Sequence, residues 1–223
     1  ETCDVGIKRV PLNDDFSLDV DGICATENVN LVFICAPNNP TGTQVSKADL
    51  TAVLEHFADT ALVVVDEAYI EFDIKSTWAT QLAAYPNLVV LRTLSKAFAL
   101  AGLRCGFTIA SEAIIQSLLK VIAPYPIPEP VAQIVAQALT AGNIERMQQQ
   151  VAFLNEQRTR LQAELATRPG VELVGDVKAN YILFRHSHCA QIMQYLVSQG
   201  MLIRDQSKQL NLQNCLRVTI GSA

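Results

Sequence analysis

Leu88-Val89-Val90-Leu91-Arg92-Thr93-Leu94-Ser95-Lys96 is the stretch on which the fold turns. Four consecutive apolar residues followed by an abrupt polar cluster is the pattern of a strand buried on both faces that ends at a sheet edge. The pattern occurs twice upstream. Leu31-Val32-Phe33-Ile34-Cys35 runs into Asn38-Asn39-Pro40-Thr41-Gly42, and Leu62-Val63-Val64-Val65 runs into Asp66-Glu67-Ala68-Tyr69. Between these two runs, residues 46–58 carry helical periodicity at Leu50, Val53, Leu54 and Phe57, and Ser46-x-x-Asp49 resembles a capping box. Strands alternating with helices predict an α/β domain built on a mostly parallel sheet with helices over both faces. The three polar clusters then share the carboxyl edge, where open α/β sheets bind ligands.

Working outward, residues 105–110 read as a fourth strand and residues 111–123 as a helix with an apolar stripe at Ile114, Ile115, Leu118, Leu119 and Ile122. Alternating Pro124, Pro126, Pro128 and Pro130 predict extended chain, with helix resuming at Val131. A further helix is predicted from about 143 to 168, stopped by Pro169-Gly170. The remainder reads as a smaller βαβ-like unit, with strands at 171–174, 181–184, 201–204 and 216–220 and a helix at 189–199 closed by Gly200. The expected division is residues 1–140 for a large domain and 141–223 for a helical connector and a small C-terminal α/β domain.

Bulk properties narrow the function. With 223 residues, half of them hydrophobic, the chain can bury roughly 70% of its unfolded surface. A net charge of −5 without any run of Lys or Arg argues against nucleic acid or an anionic membrane as partner. No apolar run approaches the ~20 residues that span a bilayer, and the first residues show no secretory signal pattern. Cys3, Cys24, Cys35, Cys105, Cys189 and Cys215 form no C-x-x-C pair, so reduced thiols in a cytoplasmic protein are expected. His186-x-His188 supplies two ligands where a zinc site needs three or four, so no metal is expected.

Taken singly, Asp66 is a strand-ending acid or helix cap, Lys96 a surface charge and Asn39-Pro40-Thr41-Gly42 a turn. Together at one sheet edge they are what pyridoxal 5'-phosphate requires. A lysine takes the aldehyde as a Schiff base, a carboxylate keeps the pyridine nitrogen protonated, and an amide and a phenol donate to the ring oxygen. Ser95 and Arg104 flank the lysine as phosphate donors.

The run from Ser95 to Phe107, Ser-Lys-Ala-Phe-Ala-Leu-Ala-Gly-Leu-Arg-Cys-Gly-Phe, resembles the cofactor-lysine segment of fold-type I aminotransferases. Ala36-Pro37-Asn38-Asn39-Pro40-Thr41-Gly42 and Val65-Asp66-Glu67-Ala68-Tyr69 resemble motifs of the same superfamily, in the same order. Within it the chain is similar to the histidinol-phosphate aminotransferase family. Asp66-Glu67-Ala68-Tyr69-Ile70-Glu71-Phe72, Ile122-Ala123-Pro124-Tyr125-Pro126, Asn180-Tyr181-Ile182-Leu183, Ile203-Arg204-Asp205-Gln206 and Leu216-Arg217-Val218-Thr219-Ile220-Gly221 carry that similarity, over essentially the whole chain.

The resemblance implies a three-layer pyridoxal-phosphate-dependent transferase-like fold and a homodimer. It implies transfer of an amino group from histidinol phosphate to 2-oxoglutarate, giving imidazole-acetol phosphate and glutamate in L-histidine biosynthesis. Carried over by position, Lys96 holds the cofactor and shuttles the substrate proton, and Asp66 pairs with the pyridine nitrogen. Asn39 and Tyr69 bind the ring oxygen, Ser95 and Arg104 hold the phosphate, and Arg204 and Arg217 bind the anionic end of the substrate. The family also has an N-terminal segment with a glycine-containing phosphate loop, and a last helix. This chain is therefore expected to be a fragment that is not competent alone. Aromatic or broad-specificity aminotransferases, threonine-phosphate decarboxylases and non-enzymatic aminotransferase-like regulatory domains share these motifs and stay open as alternatives.

Overall fold

A computed structural model of the chain describes residues 5–221; of the residues discussed above, Cys3 lies outside them. After a short α1 (Val20–Cys24), the apolar runs form β1 (Leu31–Cys35), β2 (Leu62–Asp66) and β3 (Leu88–Thr93), with α2 (Lys47–His56) between the first two. Ser46 caps α2, its hydroxyl accepting from the Asp49 amide at 3.0 Å. The three strands are parallel and adjacent in the order β1-β2-β3. A fourth, β4 (Gly106–Ala110), pairs antiparallel with β3. The reversal has a local cause: the Leu94 amide donates to the Cys105 carbonyl at 3.2 Å and turns the intervening loop straight back.

Ile34, Val63, Val65, Leu88 and Val90 pack with Leu50, Val53, Leu54 and Phe57 of the α2 region and with Trp78. β2 is buried on both faces, as expected of its continuous apolar run, but β1 is not. Ile34 is buried, whereas Leu31 and Phe33 are exposed, Phe33 by 69%. The expected cover on both faces is thus missing at β1, because α1 and α2 shield only one side.

α3 (Glu112–Leu119) ends four residues before the expected boundary, and α4 (Glu129–Ala138) starts two residues earlier than expected. Pro130 lies in its first turn, where the missing N–H costs nothing. Of the predicted apolar stripe, Ile114 and Ile115 are half-buried while Leu118, Leu119 and Ile122 are exposed. The 26-residue α5 (Ala141–Ala166) leads to the second sheet.

That sheet contains β5 (Glu172–Val174), β6 (Tyr181–Arg185), β7 (Arg204–Asp205) and β8 (Cys215–Thr219), with α6 (Cys189–Ser198) between β6 and β7. Its order is β5-β6-β8-β7, with every adjacent pair antiparallel. β6 and β7 therefore run parallel with β8 inserted between them, so the expected βαβ unit is a split one. The strand expected at 201–204 shrinks to two residues. Pairing with β8 begins only at Arg204, and Met201 and Leu202 are left exposed.

Two close backbone approaches join this sheet to the first. The Lys178 amide donates to the Gly42 carbonyl at 2.9 Å. Gly175, at φ +77°, brings its backbone so close that a Cβ there would overlap the Thr41 carbonyl oxygen. α5 adds two hydrogen bonds, from Asn155 Nδ2 to the Phe72 carbonyl at 3.1 Å and from Arg158 Nη1 to the Ala179 carbonyl at 2.8 Å.

Candidate active site

The parallel register sets Cys35 beside Asp66 and Asp66 beside Leu91, so all three polar clusters leave the same edge of the first sheet. Half-buried Asp66 ends β2, and its Oδ1 accepts from the Ala68 amide at 2.9 Å. That bond shapes the turn carrying Tyr69 into the interior, where it is 6% exposed. Lys96 Nζ stands 5.1 Å from the centre of the Tyr69 ring, within cation–π range. Its ammonium has no ion pair and no hydrogen bond among the described residues. Ser95 is held beside it: its amide donates to Thr93 Oγ1 at 3.1 Å, and that hydroxyl donates to Ser95 Oγ at 2.9 Å.

The second sheet supplies the other side. Arg217 of β8 donates from Nη1 to Asn39 Oδ1 at 2.6 Å, leaving the Asn39 amide hydrogens for another acceptor. Its guanidinium carbon lies 4.7 Å from the centre of the Tyr181 ring, and its Nε is buried without a partner. Arg204 is the cross-strand partner of Arg217. Two like charges opposite one another weaken strand pairing, and an anion between them would reverse the sign.

Of the predicted site residues, the structure thus brings together Asp66, Tyr69, Lys96, Ser95, Asn39 and Arg217 around one edge, with Arg204 beside Arg217 on the second sheet. Arg104 is not joined to them. It takes a left-handed backbone (φ 53°), is exposed, and donates to the carbonyl of Ala101 at 3.2 Å. Cys35, at the same edge, is a packing group: burial, with Asp66 adding to it, pushes its thiol up to about 11.

Residues 1–223 match the aminotransferase class I and II family. The chain belongs to that family. Over its whole length it is 64% identical to a histidinol-phosphate aminotransferase of Pseudoalteromonas atlantica, of which it covers 60%. Among solved structures, a histidinol-phosphate aminotransferase from Clostridium acetobutylicum superposes with a TM-score of 0.84 at 24% identity, covering 94% of this chain and 64% of that one. One from Sinorhizobium meliloti, solved in complex with pyridoxal-5'-phosphate, superposes with a TM-score of 0.80 at 25% identity, covering 95% and 58%. The chain spans about 60% of the length of the curated relatives it matches, and its fold is that of the fold-type I aminotransferases.

Sequence reasoning missed two features of this aminotransferase-family site. Glu67, fully buried, accepts from the Trp78 amide at 2.5 Å, from Thr77 Oγ1 at 2.9 Å and from Arg92 Nε at 2.8 Å. Glu71 approaches the same guanidinium at 3.5 Å. Two carboxylates on one arginine thus brace the Asp66–Tyr69 turn from behind. The other is Tyr181, which the sequence places in a strand and in the family-like run Asn180-Tyr181-Ile182-Leu183 without a role of its own; a phenol inside a buried strand is the available signal, since its hydroxyl must find a partner. A cleft of about 740 Å³ adjoins the brace on Arg92, lined by residues such as Glu71, Phe72, Arg92, Phe98, Met147 and Asn155, and none of the predicted site residues lines it. No group of three metal-ligating side chains occurs among the described residues, and no described helix is long and apolar enough to cross a membrane.

Proposed function

We propose that this chain forms the lysine-bearing part of a pyridoxal-phosphate-dependent transaminase that moves the amino group of histidinol phosphate to 2-oxoglutarate in L-histidine biosynthesis. The observation that carries the reading is the unpaired Lys96 amine over Tyr69, on the same sheet edge as Asp66. The 64% identical relative supports the choice of substrate.

The residues fit the cofactor. Lys96 has a free amine and the Asn39 amide hydrogens are uncommitted, while Arg217 Nε, a buried donor without an acceptor, is left for the substrate. When bound, pyridoxal phosphate supplies the electron sink for negative charge at the substrate α-carbon. Lys96 would hold the cofactor aldehyde and afterwards carry the proton at the α-carbon. Asp66 would face the ring nitrogen, holding its proton by charge. Asn39 and Tyr69 would donate to the ring oxygen. Ser95 would donate to the phosphate, joined by Arg104 once its guanidinium leaves the Ala101 carbonyl. Arg217, with Arg204 opposite, would clamp the substrate's phosphate or carboxylate, for which a planar fork is suited.

The same reading makes the protein a cytoplasmic homodimer, divided near residue 140 into a large domain and a connector with a small domain. Support comes from the separate second sheet, from the five free cysteines of the described residues and from the exposed apolar side chains of residues 118–127.

The test exchanges this chain for the corresponding stretch of the Pseudoalteromonas atlantica relative. The chimera is expected to show the visible absorbance of lysine-bound cofactor and to form glutamate from histidinol phosphate and 2-oxoglutarate. Lys96→Ala is expected to abolish both. Identical spectra for parent and Lys96→Ala would sink the lysine assignment. Activity on phenylalanine or threonine phosphate in place of histidinol phosphate would move the substrate.

A further inference from the structure

Tyr181 stands on β6 of the second sheet, 2% exposed, yet its contacts reach across to the first. Its hydroxyl donates to the Asn38 carbonyl at 2.7 Å, a partner 143 positions away in sequence. Its ring meets the Tyr69 ring edge-to-face, centres 5.2 Å apart and planes at 87°. The Arg217 guanidinium carbon is 4.7 Å from the centre of the same ring, and Arg217 closes the circuit on Asn39, the residue after Asn38. One aromatic side chain therefore touches the tyrosine beneath Lys96, the arginine with the orphaned donor and the loop that carries Asn39.

We propose that Tyr181 is the positioning residue of this site: its ring fixes Arg217 for the anionic end of the substrate. This rests on the reading of Arg217 as the anion clamp. A guanidinium on an aromatic face loses its lateral freedom and keeps its N–H edge available in the ring plane direction, so an anion finds the fork already aimed. The hydroxyl is a donor throughout the neutral range, since burial first, with the neighbouring Tyr69 and Cys35 adding to it, pushes it far above the ordinary phenol. It is tied to the Asn38 carbonyl and acts through the groups it holds. A core tyrosine without this role would serve equally well as any apolar residue of its size, and that difference can be measured.

The experiment compares Tyr181→Phe and Tyr181→Leu in the same chimera. Dissociation constants for maleate, an unreactive dicarboxylate, are measured by calorimetry, alongside cofactor affinity, KM, kcat and the thermal midpoint. Tyr181→Phe keeps the ring and is expected to bind maleate within about threefold of the parent. Tyr181→Leu is expected to weaken maleate about tenfold and to raise KM by a similar factor, with kcat and cofactor affinity changing much less. Maleate affinity within twofold of the parent in Tyr181→Leu overturns the proposal. So does an equal loss of maleate and cofactor affinity, which marks a merely structural role. A parent that binds no maleate overturns both this inference and the clamp on which it rests. A parent that binds maleate but shows no cofactor absorbance removes the transaminase reading and leaves the Tyr181 comparison intact.

Discussion

The junction where β6 docks on the first sheet and the stretch from α3 to α4 are both rich in apolar side chains, and they end in opposite situations. At the junction the large apolar and aromatic groups meet partners inside the chain, and Arg217 Nε stays open for a ligand. Tyr181 is tied to Asn38, Tyr69 and Arg217, and Gly175 lies against Thr41. Between residues 116 and 130 every residue is exposed, and Tyr125 reaches 96%. The first region is specified by contacts as far as 178 positions apart. The second has the right periodicity and nothing described to bury it against. Apolar patterning announces that a face wants cover, and only the tertiary structure says whether the cover lies within the same chain.

That contrast makes graded predictions for this chain. The largest loss is expected from Glu67→Ala, which leaves Arg92 without its fully buried partner and opens the turn behind Asp66. Its cost is about 3 kcal/mol in urea unfolding. Gly175→Ala should follow at about 2 kcal/mol, since it combines a left-handed φ with overlap on the Thr41 carbonyl. A cost below 0.5 kcal/mol there would show that the two sheets move apart easily, and would break the claim that the junction is specified.

A smaller effect concerns pH. Burial, outweighing Arg92, raises the Glu71 carboxyl above its ordinary 4.5. The folded chain thus holds that proton more tightly than the unfolded one. The associated stability is complete below pH 4.5 and is lost as pH rises through the raised value, so Glu71→Gln should flatten that part of a stability–pH profile. The smallest change is expected from Leu119→Asn in the exposed stretch, under about 0.5 kcal/mol for this chain by thermal unfolding. A loss of 2 kcal/mol would mean that Leu119 is covered after all, and the comparison would fall.

Much of this was legible in the residue order. The runs at 31–35, 62–65 and 88–91 are the three parallel strands, and the polar clusters after them share one edge because parallel strands necessarily put like ends together. Boundaries that depended on a partner were less legible. The strand expected at 201–204 lost its apolar start, because β8 is reached only at Arg204. The stripe on α3 was periodic but uncovered. Arg104 was placed with Lys96 by motif, and its left-handed backbone turns it toward Ala101.

The sequence by itself determined the element types, the shared edge and the residue types at it, because periodicity and strand ends are local properties of the chain. Only the tertiary structure decided that Arg217 reaches Asn39, that Tyr181 lies between Arg217 and Tyr69, and that Glu67 is buried on Arg92. Those are meetings of residues far apart along the chain. Their distances follow from how the second sheet seats on the loop at Gly42 and Gly175, which no local pattern encodes.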